Sequence, residues 1–123
     1  MEVINLVFLV SIAAALFLSA AEAHPNFRSE IPNGKRVYDP CHPGTLVRGV
    51  GHVNIYGNGK RNSFGEDFAE QEFEWTEELC KTDSDKDGLT NGAELGDPYC
   101  IWKPGDTPTR TTNITSPGIS NRC

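Results

Sequence analysis

Beyond residue 23 this 123-residue chain contains no long apolar run, and it is poor in the residues that build cores. Residues 24–123 hold 17 of Leu, Ile, Val and Phe, against 12 Gly and 8 Pro. Burial of apolar surface alone does not offset the conformational entropy of so glycine- and proline-rich a segment, so something besides oil has to hold it. A basic surplus is also missing. The chain carries 11 Lys+Arg against 17 Asp+Glu, a net charge of −6; without Glu2 and Glu22, 15 acids against 11 bases leave −4. That balance argues against nucleic acid as a partner. No Walker loop, zinc cluster or nucleophile set with a base occurs, and Gly49-Val50-Gly51 lacks the third glycine and the following helix of a dinucleotide site. Those three residues read as close packing, and no enzyme activity is expected.

The single apolar stretch, Val3 through Leu18, ends in small residues and Ala21-Glu22-Ala23, a small-x-small cleavage sequence. Residues 1–23 read as a signal peptide and residues 24–123 as one secreted, extracellular domain with no membrane contact after cleavage. No Lys or Arg precedes the apolar run, and an uncleaved anchor is the bland alternative. Four cysteines, Cys41, Cys80, Cys100 and Cys123, read as two disulfides. Three connectivities are open. Bridges spanning about 20 to 40 residues contribute roughly 3 to 4 kcal/mol each on a loop-closure model.

Pro25, Pro32, Asn33-Gly34, Pro40 and Pro43 predict turns and extended backbone over residues 24–43. Val47, Val50, Val53, Ile55 and Tyr56 predict a strand between Thr45 and Tyr56, interrupted at Gly49 and Gly51, and Gly57-Asn58-Gly59 then turns the chain. Ser63 with Glu66 forms a capping-box pattern, and Phe64 and Phe68 lie one turn apart, predicting a short helix to about Gln71. Thr76 caps a second, with Glu77 and Glu78 in its first turn. The acidic run from Glu66 to Glu78 reads as a solvated surface. After Cys100 the tail is expected to be extended, with Trp102 as its one large apolar group, and Asn113-Ile114-Thr115 is a glycosylation sequon on Asn113.

The strongest local signal is the twelve-residue segment Asp83 to Glu94. Carboxylates stand at its positions 1, 3, 5 and 12 and glycine at 6, the pattern of a calcium loop. Alternate side chains of a tightly wound loop converge on one centre. Asp83, Asp85 and Asp87 would supply one oxygen each, Leu89 its carbonyl, Asn91 a held water, and Glu94 both oxygens, around calcium as the cofactor. Gly96-Asp97-Pro98 stops the returning helix, and no second loop follows. A solitary structural site of the thrombospondin type 3 kind is expected, rather than a paired EF-hand sensor. The fold class expected is a small irregular α+β disulfide-rich domain with short helices, little strand and one EF-hand-like calcium loop.

These residues, taken in order, resemble a known family. Ile31-Pro32-Asn33-Gly34, Gly49-Val50-Gly51-His52, Arg61-Asn62 through Phe64-Gly65 and Asp67-Phe68, Trp75-Thr76, Leu79-Cys80, the loop from Asp83-Ser84-Asp85 to Thr90-Asn91-Gly92, Glu94 through Pro98, Cys100, Arg110-Thr111 and Ile114-Thr115 resemble the temptin family over nearly all of residues 24–123. The resemblance implies a water-borne protein pheromone of molluscs, released with egg masses, whose partners are other secreted attractant proteins or a chemosensory receptor. It also implies the pairing Cys41 with Cys80 and Cys100 with Cys123, whereas the sequence alone also allows Cys80 with Cys100, bracketing the acidic loop. Ser116-Pro117-Gly118 departs from the His-Pro-Gly expected in relatives.

Three other readings attach to particular residues. His24 as a mature amino terminus, with His52, is a speculative copper pair. Gly34-Lys35-Arg36 and Gly59-Lys60-Arg61 are the pattern that releases amidated neuropeptides from a precursor. A calcium-binding matrix, shell or egg-capsule protein is the main alternative to a diffusible signal, although a charge of −4 is small for mineral binding. For a signal, the expected recognition surfaces are Glu70 to Glu74 and the tail near Trp102.

Overall fold

The computed structural model describes residues 24–123, with side chains from Phe27 onward, and the expected leader lies outside the described residues. A 3₁₀ helix, His24–Glu30, is followed by α1 (Ser63–Glu70), α2 (Glu77–Lys81) and α3 (Asn91–Leu95), strung along irregular backbone. The 3₁₀ helix replaces part of the extended start that the prolines predict. Pro25 is tolerated there because the first N–H groups of a helix have no intrahelical acceptor. Phe27 anchors it, stacked on Phe73 at 4.5 Å and edge-on to Phe68 at 5.9 Å.

Each α-helix begins at a polar cap. For α1 the cap is Asn62, not Ser63: its Oδ1 accepts from Gly65 N at 2.9 Å while its Nδ2 donates to the carbonyls of Val50 (2.8 Å) and His52 (3.1 Å). A carboxamide satisfies groups on both sides, which the serine hydroxyl next to it does not. Thr76 caps α2 as expected, accepting from Leu79 N at 3.1 Å, with Glu77 and Glu78 in the first turn. Thr90 caps α3 in the same way through Ala93 N at 3.0 Å. Gly96, at φ 88°, ends α3 in a left-handed turn, and a Cβ there would meet the Arg110 carbonyl at 2.2 Å.

The expected strand between Thr45 and Tyr56 does not form. Among the described residues β pairing is confined to isolated bridges, Tyr38 with Leu46, Tyr38 with Thr115 and His52 with Arg61. The segment folds back on itself instead: the N–H groups of Arg48 and Gly49 both donate to the Ile55 carbonyl, at 2.8 and 2.7 Å. Gly49 lies so close to Gly57 that an added Cβ would stand 2.2 Å from its Cα. Val47 and Val50 are buried, but Val53 and Tyr56 are 65% and 76% exposed. The apolar alternation that suggests a strand is thus divided between a core anchor and a surface loop.

The core is small. Ile31, Val37, Val47, Val50, Phe64, Phe68, Leu79, Leu95 and Ile114 form one buried cluster, bordered by Phe27, Ile55, Phe73, Trp75 and Ile119. Trp102 is 8% exposed, with its indole N–H donating to the Asp106 carbonyl at 2.8 Å. It is therefore part of the folded body and not the exposed recognition group expected of an extended tail.

Two disulfides close the structure, and their pairing corrects the one implied by resemblance. Cys41 pairs with Cys123 and Cys80 with Cys100, at Cα separations of 5.5 and 5.7 Å, so Cys41–Cys80 and Cys100–Cys123 are excluded. The reason lies in α2 and α3, which pack against each other. Gly92 of α3 lies directly against Cys80, where a Cβ would be 2.3 Å from the sulfur, and the turn after Gly96 returns Cys100 to the same place.

Candidate functional site

The acidic loop is built by positive-φ residues and short-range hydrogen bonds. Lys86 (φ 59°) and Gly88 (φ 94°) turn the backbone sharply. Gly88 N and Asp87 N donate to the two oxygens of Asp83, at 2.9 and 3.3 Å, and Leu89 N donates to Asp87 Oδ1 at 3.0 Å. Such bonds wind the loop around its own first carboxylate. As a result Asp83, Asp85 and Asp87 each bring a carboxylate oxygen to within 4.8 Å of the other two.

Glu94, the twelfth residue, is 2% exposed. Both of its oxygens and both of Asp85's are buried without a hydrogen-bond partner. A buried carboxylate oxygen with no donor is costly, and four of them in one loop ask for positive charge. The protonation behaviour agrees. Burial, reinforced by Asp87 and Asp83, pushes the Asp85 carboxyl up to about 8. Burial, reinforced by Asp87, Asp85 and Asp83, pushes Glu94 up to about 10. Asp87 moves the other way: burial raises it, but the neighbouring Glu94 carboxyl and the hydrogen bonds donated by the N–H groups of Leu89 and Asn121 outweigh that and hold it below its ordinary value. An all-oxygen donor set with flexible side chains suits a hard divalent cation of calcium's size better than an imidazole- or thiolate-seeking metal. The residues present fit such an ion.

Asn91, the ninth residue of the loop, joins it to α2. It is fully buried, its amide donates to the Leu79 carbonyl and Ser84 Oγ at 2.9 Å each, and Ser84 N approaches its Oδ1 at 3.4 Å. Its side chain thereby braces the loop against α2. Ser84 in turn donates to Asp67 Oδ2 of α1 at 2.6 Å, so one member of the predicted solvated acidic run is a structural acceptor. Leu89 lies on the outer side, 43% exposed.

Two features of the site were not legible as site residues. Asn121 N donates to Asp87 Oδ2 at 3.1 Å, which fastens the C-terminal tail to the loop two residues before the disulfide at Cys123. Asp97 is fully buried and accepts from Ile101 N (3.0 Å), Trp75 Nε1 (2.8 Å) and Trp102 N (3.2 Å). It ties the segment after α3 to the two tryptophans. Its only sequence signal was a position between Gly96 and Pro98, which reads as a helix stop.

The remaining site residues are dispersed. Asn113 is exposed at φ 54°, while Ile114, the next residue of its sequon, is in the core. His52 is half-buried and its carbonyl accepts from Asn62; the side chain of His24 lies outside the described residues. Arg61 stands 5.5 Å over the Phe73 ring, and Gly34 is packed where a Cβ would meet the Arg28 carbonyl at 1.9 Å. Of the two glycine-dibasic triplets, Gly34 is thus packed, whereas Gly59, Lys60 and Arg61 are exposed, as are Lys35 and Arg36.

Residues 21–119 match the family model described as Temptin C-terminal. The chain is 48% identical over 110 residues to Temptin from Aplysia californica, an alignment covering 89% of this chain and 88% of that protein. No solved structure matches.

Proposed function

The chain belongs to the temptin family, and from that membership we propose that it is a secreted, water-borne protein attractant, a pheromone-like signal whose shape is set by a structural calcium ion. The observation that carries this reading is the 48% identity running over nearly the whole of both chains. Two disulfides suit an extracellular protein.

Calcium would sit among Asp83, Asp85, Asp87 and Glu94, where its charge offsets the mutual repulsion of the carboxylates, a few kcal/mol per pair at a surface-like dielectric. An extracellular site of this kind needs only weak affinity, on the order of 0.1 to 1 mM. The ion's part is to fix the loop; the signal itself acts by being recognised, by a chemosensory receptor or together with other secreted attractants. The exposed acidic residues Glu70, Glu72 and Glu74 remain the recognition surface favoured here, now that Trp102 is internal.

The test is a water-choice assay with the pure protein, alone and mixed with egg-mass attractants, using the parent chain and Asp85→Asn at one fixed calcium level. Attraction by the parent and a weaker response to the variant are expected. A parent chain that draws no response in either setting, or that is recovered only in insoluble egg or shell matrix, would overturn the reading in favour of a structural protein.

A further inference from the structure

We infer that the cavity between the N-terminal 3₁₀ helix and the 48–57 loop is a binding site for a free amphipathic organic anion, an aliphatic or aromatic body bearing one carboxylate or sulfate. The cavity, of about 600 Å³, falls in the range of small-molecule pockets. It lies apart from the carboxylate loop and does not depend on it.

Its wall is made of core rings that are already locked together. Phe64 stacks on Phe68 at 5.8 Å, and Phe73 lies edge-on to Phe68 at 5.5 Å, so the apolar surface is preformed. Gly49, Gly51, Gly57 and Gly65 also line the cavity, so part of its surface is backbone, and Gly51 and Gly65 touch so closely that a Cβ on Gly65 would stand 2.0 Å from the Gly51 carbonyl oxygen.

The charge around it is of one sign. Arg28, Arg48 and Arg61 all line the cavity and no Asp or Glu does, in a chain whose acids outnumber its bases 17 to 11. Among the described residues the ion pairs are His42 with Asp39 and Lys81 with Glu77; none of these three arginines takes part in one. Three arginines outside those ion pairs border an apolar concavity, the Arg61 guanidinium lying over the Phe73 ring of its wall, and they complement an anion with an oily body, since guanidinium binds carboxylate and sulfate through paired N–H donors. A neutral or cationic ligand would leave that field unused.

The experiment is isothermal titration calorimetry of the protein with micromolar decanoate, decan-1-ol and decyltrimethylammonium, with sedimentation against anionic phospholipid vesicles as a parallel arm. Saturable one-to-one binding of decanoate is expected, with the alcohol about ten-fold weaker or more and no binding of the cation. Arg28→Gln and Arg48→Gln, both on exposed side chains, should each weaken decanoate about ten-fold without moving the melting temperature or the affinity for the alcohol. Equal affinity for the three head groups, decanoate binding that survives both substitutions, or binding to vesicles with none to monomeric decanoate would overturn the inference. None of these outcomes bears on the attractant reading, which rests on family membership.

Discussion

Burial is the first cause that pushes Asp85 up to about 8 and Glu94 up to about 10, whereas in the unfolded chain both would titrate near the ordinary range of about 4. The folded metal-free protein therefore binds protons that the unfolded chain releases. Stability from these two groups is complete below about pH 4 and is lost as pH rises through the folded values, about 8 and then about 10. Metal-free protein should accordingly melt lower at about pH 8 than at about pH 5, and calcium should remove most of that difference. Asp85→Asn should flatten the metal-free slope and abolish the gain from calcium. Melting curves read this directly, since about 1 kcal/mol moves the midpoint of a domain this size by about 4 to 8 °C; a metal-free protein that is firmer at the higher pH contradicts it. At this scale the sequence was informative where the clustered carboxylates are neighbours along the chain. Asp83, Asp85, Asp87 and Glu94 lie in one twelve-residue loop whose spacing is itself the signal. Asp97, Asn62 and Asn33 were opaque for the opposite reason: Asn33, for example, donates to the carbonyls of Leu95 and Arg110 at 2.8 and 2.9 Å, across 62 and 77 residues.

Among the elements, the helices were the legible part, because a cap and its first turn are local chemistry. Thr76 with Glu77 and Glu78, and Gly96 before Asp97-Pro98, act where the sequence places them. The start of α1 was misread by one residue, and the consequence is measurable. Asn62→Ala removes a cap, at about 0.5 to 2 kcal/mol, and deprives the Val50 and His52 carbonyls of their donor, adding a cost of about 1 to 3 kcal/mol. A loss of about 2 to 4 kcal/mol in urea unfolding is expected, against about 0.5 kcal/mol or less for the exposed Ser63→Ala. If the two variants lose equally, the capping role returns to Ser63. The Thr45–Tyr56 strand was lost for a tertiary reason: β propensity reports fit to a pleated surface, and among the described residues no neighbouring strand supplies one. Gly49 and Gly51 were rightly read as close packing, since each lies against a second glycine, Gly57 and Gly65.

For the molecule as a whole, nine buried apolar residues are a thin core for 100 residues of chain, and the cross-links are nested instead of sequential. The inner bridge, Cys80–Cys100, encloses the carboxylate loop; the outer one, Cys41–Cys123, spans 82 residues and encloses the inner. Connectivity could not be read from the sequence, because loop-closure entropy differs by only about 1 kcal/mol between loops of these lengths and the choice is made by which sulfurs α2 and α3 bring together. The outer bridge reaches the carboxylate loop through the tail, as Asn121 N donates to Asp87 Oδ2. Cutting it should therefore act twice. The double variant Cys41→Ser, Cys123→Ser should lose about 4 kcal/mol of unfolding free energy and also bind calcium several-fold more weakly, because Asp87 loses a donor that holds it in place. Chemical unfolding and calcium titration of the same sample separate the two effects. A variant that is destabilised but keeps the parent's calcium affinity would show that the tail closes the chain without tuning the loop, and a non-reduced tryptic digest lacking the Cys41–Cys123 linkage would remove the coupling altogether.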